Sequence, residues 1–144
     1  MKYSSDYLIY PPYSDKMREI KNELNIDYID VFLTAIAIGI NENKKSTFIK
    51  ENTDTPITIP RNVLFSRKQK IELLVRVAAI KEYNDKLEQK DFLKHVYSEE
   101  DQYAILRQKV IEEYFATGFQ KISKLYEGNS DSFNIYNLIH EINE

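Results

Sequence analysis

Cysteine and tryptophan are both absent from this chain, and glycine (three), proline (four) and histidine (two) are scarce. Without cysteine there is no disulfide, no thiolate metal site and no cysteine nucleophile, which fits a reducing cytoplasm. Few glycines and prolines leave little to interrupt regular structure. The two histidines, His95 and His140, stand apart, with no HxH or HExxH spacing around them, so neither a metal centre nor a cofactor is expected. A Gly-rich phosphate loop, a GxSxG elbow and a nucleophile–base spacing are also missing, and the expected role is non-catalytic. No apolar run reaches the about 20 residues needed to cross a bilayer, and the N-terminal MKYSSDYLIYPPYS lacks the apolar region of a signal peptide. A net charge of −3 excludes nucleic-acid binding by overall charge, while leaving room for a local basic patch.

What is present is aromatic and aliphatic. Eleven tyrosines and seven phenylalanines can fill a core or an interface, with tyrosine hydroxyls reaching water at the edge. At 144 residues the chain is expected to form one domain, 1–144, with a real hydrophobic core. Its centre is the stretch IDVFLTAIAIGI, residues 29–40, in which only Asp30, Thr34 and Gly39 are not apolar. A segment with almost no polar face must be enclosed by other elements. Its length and the capping residue Asp27 favour a buried helix over 28–40 rather than a strand. Gly39 either admits another backbone at close range or loosens the helix end.

In chain order, residues 3–10 form a short extended segment with Tyr7 and Ile9 on one side and Leu8 and Tyr10 on the other. Pro11 and Pro12 end it, so 1–13 is expected to be an extended arm. Ser14 is the expected cap of an amphipathic helix carrying Met17, Ile20 and Leu24 and ending near Asn25. Residues 41–62 form a long polar loop with an extended TPITIP, which is functional, mobile, or pinned by Phe48, Ile49, Ile57 and Ile59. Ser66 and Gln69 make a capping box for a helix over 67–83. Ile71, Leu74, Val75 and Ala78 form its inner face, widened by Leu73, Val77 and Ile80, so that substantial burial is expected. Residues 86–97 form short helical turns with Leu87, Phe92, Leu93 and Val96 inward. Ser98 starts a long helix over 99–126, striped by Tyr103, Leu106, Val110, Tyr114, Ile122 and Leu125. Gly118 in its middle costs about 1 kcal/mol against alanine and therefore suggests a close helix crossing. Gly128 ends it, and Ser132 caps a last helix with Ile135, Leu138, Ile139 and Ile142.

Two candidate sites follow. The first is the opening strand–helix–helix order, as in ribbon-helix-helix proteins, where a strand enters the DNA major groove. Its outward face carries Ser5, Tyr7 and Ile9, or Ser4, Asp6, Leu8 and Tyr10, and neither set is basic, so packing or dimerisation is the favoured role. The second is the basic cluster Arg61, Arg67, Lys68 and Lys70, set in a span 57–71 that has no carboxylate. Lys44, Lys45 and Lys50 join it if the long loop folds back. Cations at a helix start are disfavoured by the dipole, and a bound anion or DNA phosphate relieves that. Glu99, Glu100, Asp101, Asp27 and Asp30 are read as first-turn and cap residues.

The segments REIKNELNIDYIDVFLTAIAIGI, RNVLFSRKQKIELL and EEYFATGFQKISKL, in that order, resemble the small E subunit of bacterial DNA phosphorothioation (Dnd) systems. The resemblance implies an all-helical protein that associates with DNA and with partner proteins, with Arg61, Arg67, Lys68 and Lys70 as DNA contacts. The expected protein is thus all-α, with about five helices around the 28–40 rod. It is expected to be a cytoplasmic accessory subunit of a bacterial complex, with a protein partner or a second copy docking on the tyrosine-lined arm of Tyr3, Tyr7, Tyr10 and Tyr13. The rival expectation is a DNA-binding protein using the Arg61–Lys70 cluster.

Overall fold

A computed structural model describes residues 2–51 and 55–128. The elements run β1 (Tyr7–Ile9), α1 (Tyr13–Leu24), α2 (Tyr28–Glu42), β2 (Ile57–Ile59), α3 (Arg61–Ser66), α4 (Lys68–Tyr83), α5 (Gln89–Tyr97) and α6 (Asp101–Gly128). The fold is mostly helical, with six helices and one two-stranded sheet among the described residues. The last helix expected from Ser132 lies outside them.

The apolar stretch 29–40 is the buried helix that its composition demands. Ile29, Val31, Phe32, Leu33, Ala35, Ile36, Ile38 and Ile40 are all buried. Asp27 stands at the N-cap, but its side chain caps nothing; its backbone carbonyl accepts from Asp30 and Val31. The helix runs past Ile40 to Glu42 and closes on Asn43 in the left-handed conformation, φ 53°. Asn25 closes α1 in the same way, φ 54°. Asparagine tolerates this region better than most residues that carry a Cβ.

α6 lies antiparallel across α2, with Gly39 against Tyr114 and Gly118 against Ala35. Phe32 and Phe115 meet at 5.1 Å, and Tyr13, Phe48 and Phe119 join the same aromatic cluster. Burying such rings edge-on and offset is the favourable arrangement for their quadrupoles.

The stretch 41–62 is not one long loop. Ile57–Ile59 pairs antiparallel with β1 in the register Tyr7↔Ile59 and Ile9↔Ile57, and α3 follows at once. Ile57 and Ile59 are buried while Thr58 is exposed, the alternation a half-buried strand requires. Phe48 stacks on Tyr13 at 5.3 Å, and Ile49 stays exposed. The extended segment around β1 is correspondingly no free arm, because β1 finds its partner strand inside the same chain.

Several helix starts differ from the cap positions. α1 begins at Tyr13, which puts Ser14 inside the helix and in the core, with no hydrogen-bond partner for its hydroxyl among the described residues. Ser66 ends α3 and donates to the Val63 carbonyl at 2.6 Å instead of capping α4. Ser98 accepts from the Glu100 backbone N–H at 3.2 Å, and α6 starts at Asp101. Ser66 and Ser98 each use a nearer backbone partner, the competition that makes serine a poor helix-interior residue.

α4 is buried on one side only. Ile71, Val75, Ala78 and Ala79 face inward, whereas Leu73 is 62% exposed and Ile80 39%. Leu87 and Leu93 also point outward, and α5 buries only Val96.

Candidate interaction surface

The basic residues of 57–71 do not form a single free patch. Arg67 sits between α3 and α4, where its guanidinium is 2.9 Å from the Asp30 carboxylate of α2. That pairing fastens the α3–α4 corner to the central helix. Arg61 is exposed, and its backbone N–H donates to Asp6 at 2.9 Å. Lys68 is exposed at the start of α4, with its ammonium 5.5 Å from the Tyr3 ring and 5.8 Å from the Phe65 ring. Lys70 is half-buried.

Lys44 and Lys45 are not brought to this cluster. Lys45 pairs with Glu82 at 2.7 Å and reaches Glu113 at 4.0 Å. Glu82 lies fourteen residues along α4 from Lys68, and a helix of that length rises about 21 Å. Burial pulls the Lys45 pKa down, but the bond to Glu82 and the charges of Glu82 and Glu113 outweigh it, so the ammonium titrates above the ordinary lysine range. The backbone N–H of Lys44 closes the C-terminus of α2 on Gly39. Lys50 lies over the Tyr10 ring at 5.6 Å.

The four N-terminal tyrosines are used largely within the chain. Tyr13 is buried among Phe48, Phe115 and Phe119, and its hydroxyl accepts from the Ile49 N–H. Tyr7 packs on Phe32 and donates to Glu112, while Tyr3 donates to Glu72 at 2.8 Å. Burial first, then the neighbouring carboxylate, raises the pKa of both hydroxyls. These contacts tie the N-terminal segment to α4 and α6. Tyr10, half-buried, lies under Lys50.

A cleft of about 360 Å³ opens between this segment and α6, lined by Tyr7, Lys50, Ile105, Gln108, Lys109 and Glu112 among others. Within it the Tyr7 hydroxyl donates to the Glu112 carboxylate. His95 is occupied too, bonded to the Asp91 carbonyl and packed between Tyr83 and Tyr103. No cluster of His, Asp or Glu suited to a metal occurs among the described residues.

What does stand open is an apolar surface on α3 and α4. Phe65 is 63% exposed, a shallow groove joins it to Leu73, and Ser66, Arg67, Lys68, Gln69 and Lys70 line the space between. Sequence reasoning placed Leu73 and Ile80 in the core and did not single out Phe65. The signal that could have found this surface is the excess of apolar positions on α4 over what one buried face can hold.

No curated protein and no solved structure matches the chain. Residues 17–143 match a protein family associated with the DNA sulphur modification system, in keeping with the pattern shared with phosphorothioation proteins, although the match is not to the E subunit specifically. Because the match covers most of the chain, the protein belongs to the family described as DNA sulphur modification system-associated protein 4.

Proposed function

We propose that this protein is a non-catalytic accessory subunit of the bacterial DNA sulphur modification system, acting in the cytoplasm by holding another protein of that system on the α3–α4 surface. One observation carries the reading: Phe65 and Leu73, at 63% and 62% exposure, leave large apolar side chains in water on one shallow groove. Contiguous exposed apolar area of this kind marks an interaction site more often than scattered single residues do. Family membership supports the choice of system. No helix among the described residues is long and apolar enough to cross a membrane. The test is co-expression with each component encoded beside this chain, followed by affinity capture and size-exclusion chromatography. Co-elution with one component is expected; elution alone in every combination would overturn the reading.

The second reading is DNA contact through the basic span. It is favoured by the exposure of Arg61 and Lys68 in a stretch 57–71 without carboxylates. It expects salt-sensitive retention on duplex DNA that weakens in Arg61→Glu and Lys68→Glu, each change reducing the salt slope by about 1. Arg67→Glu is unsuitable for this test, since it also breaks the pair with Asp30. Absence of retention at low salt ends this reading.

A further inference from the structure

The docking surface has a chemistry that selects its occupant. At about 100° per residue, the inward set Ile71, Val75 and Ala78 leaves Leu73, Val77 and Ile80 on the opposite side of α4. Leu73 and Ile80 are exposed and Val77 is half-buried. From Leu73 to Ile80 the strip is about 10 Å long at helical rise, two turns, and Phe65 of α3 extends it past the start of α4.

The charged residues of α4 that flank this strip are basic, while the exposed carboxylate of Glu99 reaches Arg76 at 3.6 Å. Lys68 stands at its N-terminal end, and Lys70, Arg76 and Lys81 occupy its flanks. Arg76 and Lys81 make contacts of their own, Arg76 with Glu72 at 3.2 Å and Lys81 with the Ile40 carbonyl at 3.0 Å. The two carboxylates of α4 are engaged within the chain: Glu72 also accepts from Tyr3, and Glu82 holds Lys45 and Lys86. A second copy on this strip would set lysine against lysine. A nucleic-acid backbone would cover Leu73 and Ile80 with groups that have nothing apolar to offer them.

Resting on the accessory reading above, we propose that the α3–α4 strip binds an acidic amphipathic helix of a partner protein. Apolar residues at i, i+3/i+4 and i+7 seat along Leu73, Val77 and Ile80, a further apolar residue reaches Phe65, and flanking Asp and Glu face Lys68 and the basic margins. The partner is a protein component of the modification system.

The experiment measures binding of the full chain to each tagged component encoded beside it, at low and high salt. Three variants are compared with the parent: Leu73→Glu, Phe65→Ser and Lys68→Glu. All three positions lie on the surface, and thermal unfolding of each variant checks the fold separately. Leu73→Glu and Phe65→Ser are expected to weaken binding about tenfold or more. Lys68→Glu is expected to slow association, lower its salt dependence, and be rescued by an Asp or Glu to Lys change in the partner helix. If a component binds and none of the variants alters its affinity, the docking site is wrong while the accessory reading stands. If the apolar variants weaken binding but salt and Lys68→Glu do not, the acidic class is wrong. Dimerisation of the chain that Leu73→Glu abolishes, or displacement of a bound component by duplex DNA that Leu73→Glu does not affect, also overturns the proposal. If no component binds at all, it is the accessory reading itself that falls.

Discussion

Gly39 and Gly118 let α2 and α6 touch backbone to backbone. A Cβ on Gly39 would meet the Tyr114 carbonyl oxygen at 2.0 Å, and a Cβ on Gly118 would meet the Ala35 carbonyl oxygen at 1.7 Å. In both cases the obstacle is main chain, which no rotamer change can move aside. The close approach brings Phe32 against Phe115 and draws side chains together beyond the crossing, where Lys121 pairs with Glu42 at 2.6 Å and Thr117 meets Ser46 at 2.8 Å.

Alanine at either glycine should therefore destabilise the protein even though alanine is the better helix former. The propensity gain of about 1 kcal/mol is smaller than the overpacking cost, and a net loss of about 2–3 kcal/mol is expected for Gly118→Ala. The double variant with Gly39→Ala should lose less than the sum, because a helix already displaced by one methyl accommodates the second. Urea unfolding of the two single variants and the double variant measures this. A stabilised Gly118→Ala would show that the helices do not meet at this distance.

Tyr7 gives a pH signature. Burial, then the charge and hydrogen bond of Glu112, holds its hydroxyl well above the ordinary 10.0. Above pH 10 the unfolded chain has released this proton and the folded chain has not, so the unfolded state binds fewer protons and stability falls as pH rises. The contribution is fully present below the unfolded value and is lost progressively above it. Tyr7→Phe should make the alkaline loss shallower, by up to about 1.4 kcal/mol per pH unit. Tyr126, pushed up to about 12 by its bond to Glu23, remains in the variant, so some slope persists. Unfolding midpoints at pH 8 to 11 provide the comparison, and parallel curves for parent and variant would refute it.

Arg107 secures the end of α5. It is buried, and its guanidinium donates to the His95 carbonyl at 2.9 Å and the Ser98 carbonyl at 2.6 Å, while Arg76 takes the Val96 carbonyl at 2.6 Å. Burial and the nearby Arg76 charge lower its pKa. Two cations on the last carbonyls of a helix satisfy groups that would otherwise lack partners and complement the dipole. Arg107→Met should cost about 2–3 kcal/mol, and Arg107→Lys should recover less than half of that, since an ammonium lacks the planar fork that spans both carbonyls. Backbone amides of α5 should exchange faster in both variants. Unchanged protection there would mean that α5 is held by Val96 packing alone.

The burial of 29–40, the turn at Asn25, the alternation of β1 and the close crossing at Gly118 were legible in the sequence, whereas which face of β1 turns inward was left open. Each depends on neighbours in the chain or on a residue whose presence is costly without a reason. The candidate site was less legible. Arg67 reads as a free cation until Asp30 is brought beside it, and Lys45 until Glu82 and Glu113 are; the partners lie far away in the chain. The pairing of Tyr7–Ile9 with Ile57–Ile59 spans a similar gap and turned an expected loop into a sheet. Ser14, Ser66 and Ser98 marked helix starts only to within a few residues; the hydroxyls of Ser66 and Ser98 found other backbone partners within reach, and Ser14 was drawn into the core.

The sequence by itself determined a helical protein with one enclosed rod, since a segment without a polar face has no stable place except among other apolar surfaces. Tertiary structure alone decided which apolar residues of α4 are left over. Leu73 and Ile71 are equally greasy, and only the direction from which α2 and α6 approach turns Ile71 inward and leaves Leu73 in water. The proposed interaction surface is that remainder, and a remainder cannot be known before the packing that produces it.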